Sequence, residues 1–298
     1  MKIVLTGSLG HIGKPLAEGL VAKGHSVTVI SSNVGRQNEI EAIGAVPAVG
    51  SLEDVGFLVK TFTGANIVYL MEPPANYFNK TIDVYAHRIR IANIYVQAIL
   101  LAGVTKVVHL SSIGAHTDHG NGMLRIHYEV EQILKELPES VSLKEMRPVG
   151  FYYNMFAFIP AIKSQGAIIQ NYGGDKKEPW VSPLDIASAI VEEMEKPFNG
   201  RTIRYIASDE VSPNKVAQVL GEAIGKPDLK WQMVSDEQFL NALLAIGFNP
   251  QVAKGYTEMN ASRRTDAYED YNLYKPQSLG KVKLTDFAGE FATVFNKK

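Results

Sequence analysis

KIVLTGSLGHIG, Lys2 to Gly13, is the stretch whose reading decides the fold. Lys2 to Leu5 is a short apolar run of the kind that fills a parallel strand covered on both faces. The run breaks at Thr6-Gly7, glycine recurs at Gly10 and Gly13, and Pro15-Leu16 opens a segment with helical spacing. A strand, a glycine-rich turn and a helix N-terminus together present backbone N–H groups and the positive end of a helix dipole to an anion. The glycines then serve three ends, namely a tight turn, close approach of the backbone to a pyrophosphate, and close packing of helix on strand. The spacing is G-x-x-G-x-x-G rather than the commoner G-x-G-x-x-G. Gly7, Leu9, Gly10, His11, Ile12 and Gly13 are expected to surround the pyrophosphate of a dinucleotide.

Working outward, a helix over about Lys14–Ala22 carries Leu16, Leu20 and Val21 and stops at Gly24. Ser26 to Ile30 reads as the second strand. An acidic residue at its end would bind ribose hydroxyls and select NAD; Ser31, Ser32 and Asn33 stand there instead, with Arg36 close behind. Hydroxyls and a guanidinium suit a 2′-phosphate, so the pattern favours NADP over NAD, unless Arg36 is a solvated residue at a helix start. Further strands are expected at Ala45–Val49, Asn66–Leu70, Lys106–Leu110 and Val141–Met146. Between them lie a helix through Phe57, Leu58 and Phe62, a long one over about Lys80–Ala102 and another over about Leu124–Leu137. The long helix is expected to bury Ile89, Ala92, Val96, Ile99 and Leu100. Met71-Glu72-Pro73-Pro74 breaks the pattern at a strand's carboxyl end, where open α/β sheets bind ligands. Six strands alternating with helices imply a doubly wound parallel sheet.

After Arg147-Pro148 the pattern changes. Phe151, Tyr152, Tyr153, Phe156 and Phe158 form an aromatic cluster. Short strands are expected near Ile168, Trp180 and Ile203–Ile206, and helices at Pro183–Glu195, after Ser212-Pro213 and after Ser235. Thr285 is expected to cap a last helix carrying Phe287, Phe291 and Phe295. This α+β half is expected to return to the sheet more than once and to form a smaller substrate lobe.

Composition narrows the function. The 298 residues carry a formal net charge of −1 and no cysteine. The balanced charge argues against nucleic-acid or membrane surfaces, which need a basic bias, and thiolate chemistry and Cys-based metal sites are excluded. No apolar run nears the ~20 residues that span a bilayer, and the chain starts in a strand rather than a signal pattern. The expectation is a cytoplasmic protein with a small-molecule ligand and no metal; the histidines, including His109, His116 and His119, have no metal-ligand spacing.

TGSLGHIG at the start, HLSS from His109, HYEVEQIL from His127, EMRPVGFYYNM from Glu145 and WVSPLDIASAI from Trp180 together resemble the NmrA-like branch of the atypical short-chain dehydrogenases/reductases. The resemblance covers most of the chain to about Val191. It implies an α/β fold with a Rossmann-type NAD(P)-binding domain over 1–150. Residues 151–298 would be a smaller C-terminal α+β lobe, intertwined with the first and closing one side of the cleft. Two activities are open within that branch: NAD(P)H-dependent reduction of a small quinone or conjugated carbonyl, and non-catalytic redox sensing through a protein partner.

The Tyr-x-x-x-Lys pair of the wider superfamily is absent: Gln132 follows Tyr128 at four residues, and Glu131 follows His127. A neutral amide cannot depress a tyrosine's pKa, which disfavours an alcohol dehydrogenase or a sugar epimerase. Reductases of this branch place a lysine at about the position of His127. Histidine there can donate a proton near neutral pH, with Glu131 one turn on to orient it. His127 and Tyr128 are therefore the catalytic candidates. Met71, Ser111, Pro148 and Phe151 are expected along the cofactor, and Tyr152, Tyr153 and Asn154 along the substrate.

Overall fold

A computed structural model describes residues 1–265 and 268–297. In the first half, strands β1 (Lys2–Leu5), β2 (Ser26–Ser31), β3 (Val46–Val49), β4 (Ile67–Leu70), β5 (Lys106–Leu110) and β6 (Ser142–Pro148) alternate with helices α1 (Gly13–Ala22), α2 (Gln37–Ala42), α3 (Val55–Phe62), α4 (Val84–Ala102) and α5 (Arg125–Leu134). The second half opens with β7 (Gly150–Phe151) and a 3-10 segment, Tyr152–Phe158. It continues through α6 (Ile159–Gln165), β8 (Ala167–Gln170), β9 (Glu178–Val181), α7 (Pro183–Glu195), β10 (Arg201–Ile206) and β11 (Asp209–Val211). After these come α8 (Pro213–Ala223), β12 (Lys230–Met233), α9 (Asp236–Ala245), α10 (Pro250–Ser262), α11 (Glu269–Tyr274) and α12 (Leu284–Asn296).

Seven strands pair in the order β3-β2-β1-β4-β5-β6-β10, every neighbour parallel. This is the doubly wound, Rossmann-like sheet expected from the alternation. The order reverses between β1 and β4, which opens the ligand crevice at the strands' carboxyl ends. On one face α1 and α7 bury Leu16, Leu20, Ile186 and Ile190 against Ile3 and Leu5. On the other, Leu58, Phe62, Ile91, Tyr95, Val130 and Leu134 cover Val4, Val68 and Val107. A third core in the lobe gathers Met155, Leu220, Trp231, Phe287, Phe291 and Phe295.

Several expectations are corrected. Among the described residues the second half returns to the main sheet once, through β10. Its other strands form a three-stranded sheet, β11-β9-β7, and a β12-β8 pair. Helix α4 starts at Val84 because the Asp83 carboxylate accepts from the backbone N–H groups of Tyr85 and Ala86. Its buried face is Val84, Ile91, Ala92, Tyr95, Ala98 and Ile99, leaving Leu100 exposed. Helix α12 begins one residue before Thr285, and the Asp286 carboxylate accepts from the Lys283 N–H. Helices α2, α6, α10 and α11 are additions to the expected set. Ser182, Ser212 and Ser235 cap α7, α8 and α9.

Because β10 is a strand of the seven-stranded sheet built mainly by the first half, the two halves are expected to unfold together. Phe291 is fully buried and stacked between Phe156 and Phe295. Phe291→Ala should cost about 3–5 kcal/mol and lower the midpoint of one calorimetric transition; a second transition at the wild-type midpoint would contradict joint unfolding of the two halves.

Candidate active site

The glycine turn is built on a buried threonine. Thr6 Oγ1 accepts from the Met71 N–H at 2.8 Å, tying the end of β1 to the end of β4. Gly7 has φ +87°, and a Cβ there would lie 2.1 Å from Met71 Sδ. A Cβ on Gly13 would lie 2.1 Å from the Ser8 carbonyl oxygen. Gly10 is different: its nearest atom would be 4.0 Å away, so no neighbour in the chain requires glycine there. It is exposed, as is His11, whereas the side chains of Leu9 and Ile12 are buried in the core and leave their backbone for a ligand. Helix α1 has no side-chain cap and no acidic residue in its first turn. An uncapped dipole end behind an open glycine fits a pyrophosphate.

At the end of β2, Ser31 is buried, its hydroxyl 3.0 Å from Ser8 Oγ and accepting from the Asn33 N–H. Its side chain therefore shapes the turn, and the exposed hydroxyl is that of Ser32. Arg36 Nη1 donates to the Leu9 carbonyl at 2.9 Å and lies 3.3 Å from Glu39, which also meets Lys14. The structure thus sets Arg36 and Lys14 beside the glycine turn.

At the opposite end of the crevice, Glu131 does not orient His127. Its carboxylate is gripped by Arg147, Nε to Oε1 at 2.9 Å and Nη2 to Oε2 at 2.7 Å, and it accepts the Ser111 hydroxyl at 2.5 Å. All three residues are buried. A carboxylate held by a fork on both oxygens accepts only, so the hydrogen of Ser111 is committed to it. His127 departs from the expectation that it titrates near neutral pH. Burial, helped by the nearby Arg88 charge, drives its pKa down to about 3, so it is a neutral imidazole at physiological pH. Its Nδ1 is buried without a hydrogen-bond partner among the described residues. Tyr128 sits half-buried beside it on α5.

A third group lies outside the sequence-based expectations. His109, on β5, is fully buried between Glu145 of β6, 2.5 Å from Nδ1, and Glu72 at the end of β4, 3.2 Å from Nε2. The sequence does carry a signal for it: His109 interrupts KVVHL and Glu145 interrupts SLKEMRP, where a strand buried on both faces should be apolar. Burial opposes the charge on His109, but the two carboxylates overcome it and hold its pKa well above the usual value. Burial would raise Glu72, yet His109 holds it below the carboxylate range, while burial pushes Glu145 up.

The remaining candidates lie at the end of β6, on β7 and in the 3-10 segment that follows. Pro148 is the last residue of β6, and Phe151 packs partly against the core. Tyr152 is buried, stacked on Phe287 and lines the edge of a cavity, whereas Tyr153 and Asn154 are exposed. Tyr153 lies on His11, ring centroids 3.9 Å apart. A cavity of about 470 Å³ opens beside this pair, lined also by Leu184, Lys281, Phe287 and Glu290. Among the described residues no group of three or more His, Asp or Glu side chains is arranged to hold a metal ion, and no helix is long and apolar enough to cross a membrane.

The model of the NmrA-like family matches residues 1–289. The chain belongs to the NmrA-like family. An NAD(P)H azoreductase of Xenophilus azovorans is 22% identical, the match covering 98% of this chain and 99% of the relative. The NADPH complex of an Escherichia coli NADPH-dependent quinone oxidoreductase is 20% identical and superposes with a TM-score of 0.78, covering 99% and 100%. Citrobacter sp. triphenylmethane reductase with NADP(H) is 20% identical, with a TM-score of 0.76 over 97% and 99%.

Two outcomes follow from the geometry. Gly13→Ala should cost about 1–3 kcal/mol, while Gly10→Ala should stay within about 0.5 kcal/mol of wild type in denaturant titrations; equal losses would contradict the different roles of the two glycines. Below pH 6.5 the unfolded chain binds a proton at His127 that the folded chain refuses until about pH 3. The residue therefore removes stability as pH falls through that window. His127→Gln should flatten the acid limb of stability against pH, and an unchanged limb would contradict the assignment.

Proposed function

We propose that this protein is an NAD(P)H-dependent oxidoreductase that prefers NADP(H) and reduces a small quinone or conjugated carbonyl. The observation that carries the reading is Gly10: an exposed glycine, unneeded by packing, in front of an uncapped helix. The backbone of Gly7 and of Leu9 to Gly13 would hold the pyrophosphate. Ser32, Arg36 and Lys14 would meet the adenosine end, and Met71, Ser111, Pro148 and Phe151 the nicotinamide end. Bound NADPH supplies a hydride. The family membership and the reductases among its relatives support the same activity. Quinone reduction asks little acid catalysis of the protein, in keeping with the missing Tyr–Lys pair and the committed hydroxyl of Ser111.

That committed hydroxyl also favours the second reading, a dinucleotide-binding sensor acting through a protein partner. Purified protein assayed with NADPH and NADH against a quinone, enone and azo panel separates the two. Turnover with NADPH is expected. Saturable NADPH binding without oxidation by any acceptor would support the sensor. Arg36→Ala should weaken NADPH at least tenfold, about 1.4 kcal/mol, and leave NADH unchanged; an equal loss for both would contradict 2′-phosphate recognition. Gly10→Ala should weaken both.

A further inference from the structure

The two cations beside the glycine turn share one carboxylate. Lys14 follows Gly13 in the first turn of α1, and Arg36 closes the 3-10 turn after β2. Glu39, in the first turn of α2, meets both: Oε1 lies 3.5 Å from Lys14 Nζ and Oε2 lies 3.3 Å from Arg36 Nη1. Among the described residues neither cation has another acidic partner. Side-chain exposures of 45% for Lys14, 40% for Arg36 and 41% for Glu39 leave the group open to the solvent from which a nucleotide arrives. Ion pairs this exposed add little to stability. Nor does Arg36 need Glu39 to hold its place. Its guanidinium donates to the Leu9 carbonyl at 2.9 Å, and the turn that carries it is fixed by the Asn33 side chain, which accepts from the Gly35 N–H. An acidic residue in its first turn suits the dipole of α2, but that alone does not account for a carboxylate bridging cations from two other elements.

We propose that Glu39 sets the preference between the two cofactors, as an internal anion that neutralises Arg36 and Lys14 and that a 2′-phosphate, but not a ribose hydroxyl, displaces. The proposal rests on the NADP(H) reading of this end of the crevice. A phosphomonoester carries about −1.5 to −2 charges at neutral pH and three acceptor oxygens; the carboxylate carries one charge and two oxygens. The phosphate therefore offers a guanidinium fork and an ammonium more than Glu39 does. A ribose hydroxyl is neutral and leaves both ion pairs as they are. Binding the phosphorylated cofactor costs those two pairs and brings a phosphate up against a carboxylate of like charge, whereas binding the unphosphorylated one costs neither. The preference for NADP(H) is thus smaller than Arg36 and Lys14 alone would give. Glu39 is a specificity-determining residue that acts through these two cations and has no part in the chemical step.

The adenosine end is tested apart from the reactive end by calorimetric titration of the whole protein with 2′,5′-ADP and 5′-AMP, and then with NADPH and NADH. Wild type should bind 2′,5′-ADP more tightly than 5′-AMP. Glu39→Gln keeps the shape of the side chain and removes its charge. It should tighten 2′,5′-ADP and NADPH about fivefold and leave 5′-AMP and NADH within about twofold of wild type. The gain should shrink as salt is raised, and most of it should be lost in an Arg36→Ala background. An unchanged affinity for 2′,5′-ADP in Glu39→Gln overturns the proposal. So does a weakened one, which would make Glu39 a residue that positions the cations, and so does a loss confined to 5′-AMP and NADH, which would make it a ribose ligand. A gain kept in full without Arg36 overturns the claim that Glu39 acts through that residue. Wild-type protein that binds 2′,5′-ADP no more tightly than 5′-AMP overturns the NADP(H) reading itself, and the proposal with it.

Discussion

The guanidinium of Arg147, buried at the end of β6, joins the parts of this molecule that would otherwise be separate. Its fork takes both oxygens of Glu131 on α5. Nη2 also donates to the Ala115 carbonyl in the β5–α5 loop, and Nη1 donates to Tyr205 on β10 and to Asp270 on α11. One side chain thus ties the carboxyl ends of three strands to the helix behind them and to the second lobe. Breaking such a buried pair by removing one partner costs about 3–5 kcal/mol, because a charge is left without a counterion in the core.

That ion pair also sets the chemistry open to the crevice. With Glu131 fixed as an acceptor, the Ser111 proton is spoken for, and the position one helical turn after His127 holds a structural carboxylate where a tyrosine-lysine pair would need its cation. The two ends of the crevice therefore differ in kind. At the glycine turn an exposed glycine stands in front of an uncapped helix. At the ends of β4, β5 and β6 stand buried side chains whose charges are mutually balanced: Arg147 with Glu131, and His109 with Glu72 and Glu145. Neutral His127 stands beside the second group.

Much of this is legible in the sequence. The apolar run before Gly7, the strand–helix alternation and the serine caps at Ser182, Ser212 and Ser235 are local signals, and local signals fix element type. Asn249-Pro250, which opens α10, is a signal of the same kind. Long-range pairing is not legible. Nothing in the spacing says that Glu131 turns to Arg147 rather than to His127, since both lie within reach of one helix face. The polar residues inside β5 and β6 announce a buried cluster without naming its third member, because Glu72 lies in an irregular segment that only sheet order brings beside His109. The depressed pKa of His127 depends on Arg88, thirty-nine positions earlier, and on burial that α4 and α5 create together.

One crevice, with the phosphates of a dinucleotide on the glycine turn and its reactive ring over the β4–β6 ends, is a claim that a crystal structure of the protein with NADPH decides. The pyrophosphate is expected on the backbone of Leu9 to Gly13, and the nicotinamide between Ser111, His127 and Pro148. A pyrophosphate elsewhere, or a nicotinamide turned away from His127, would contradict it.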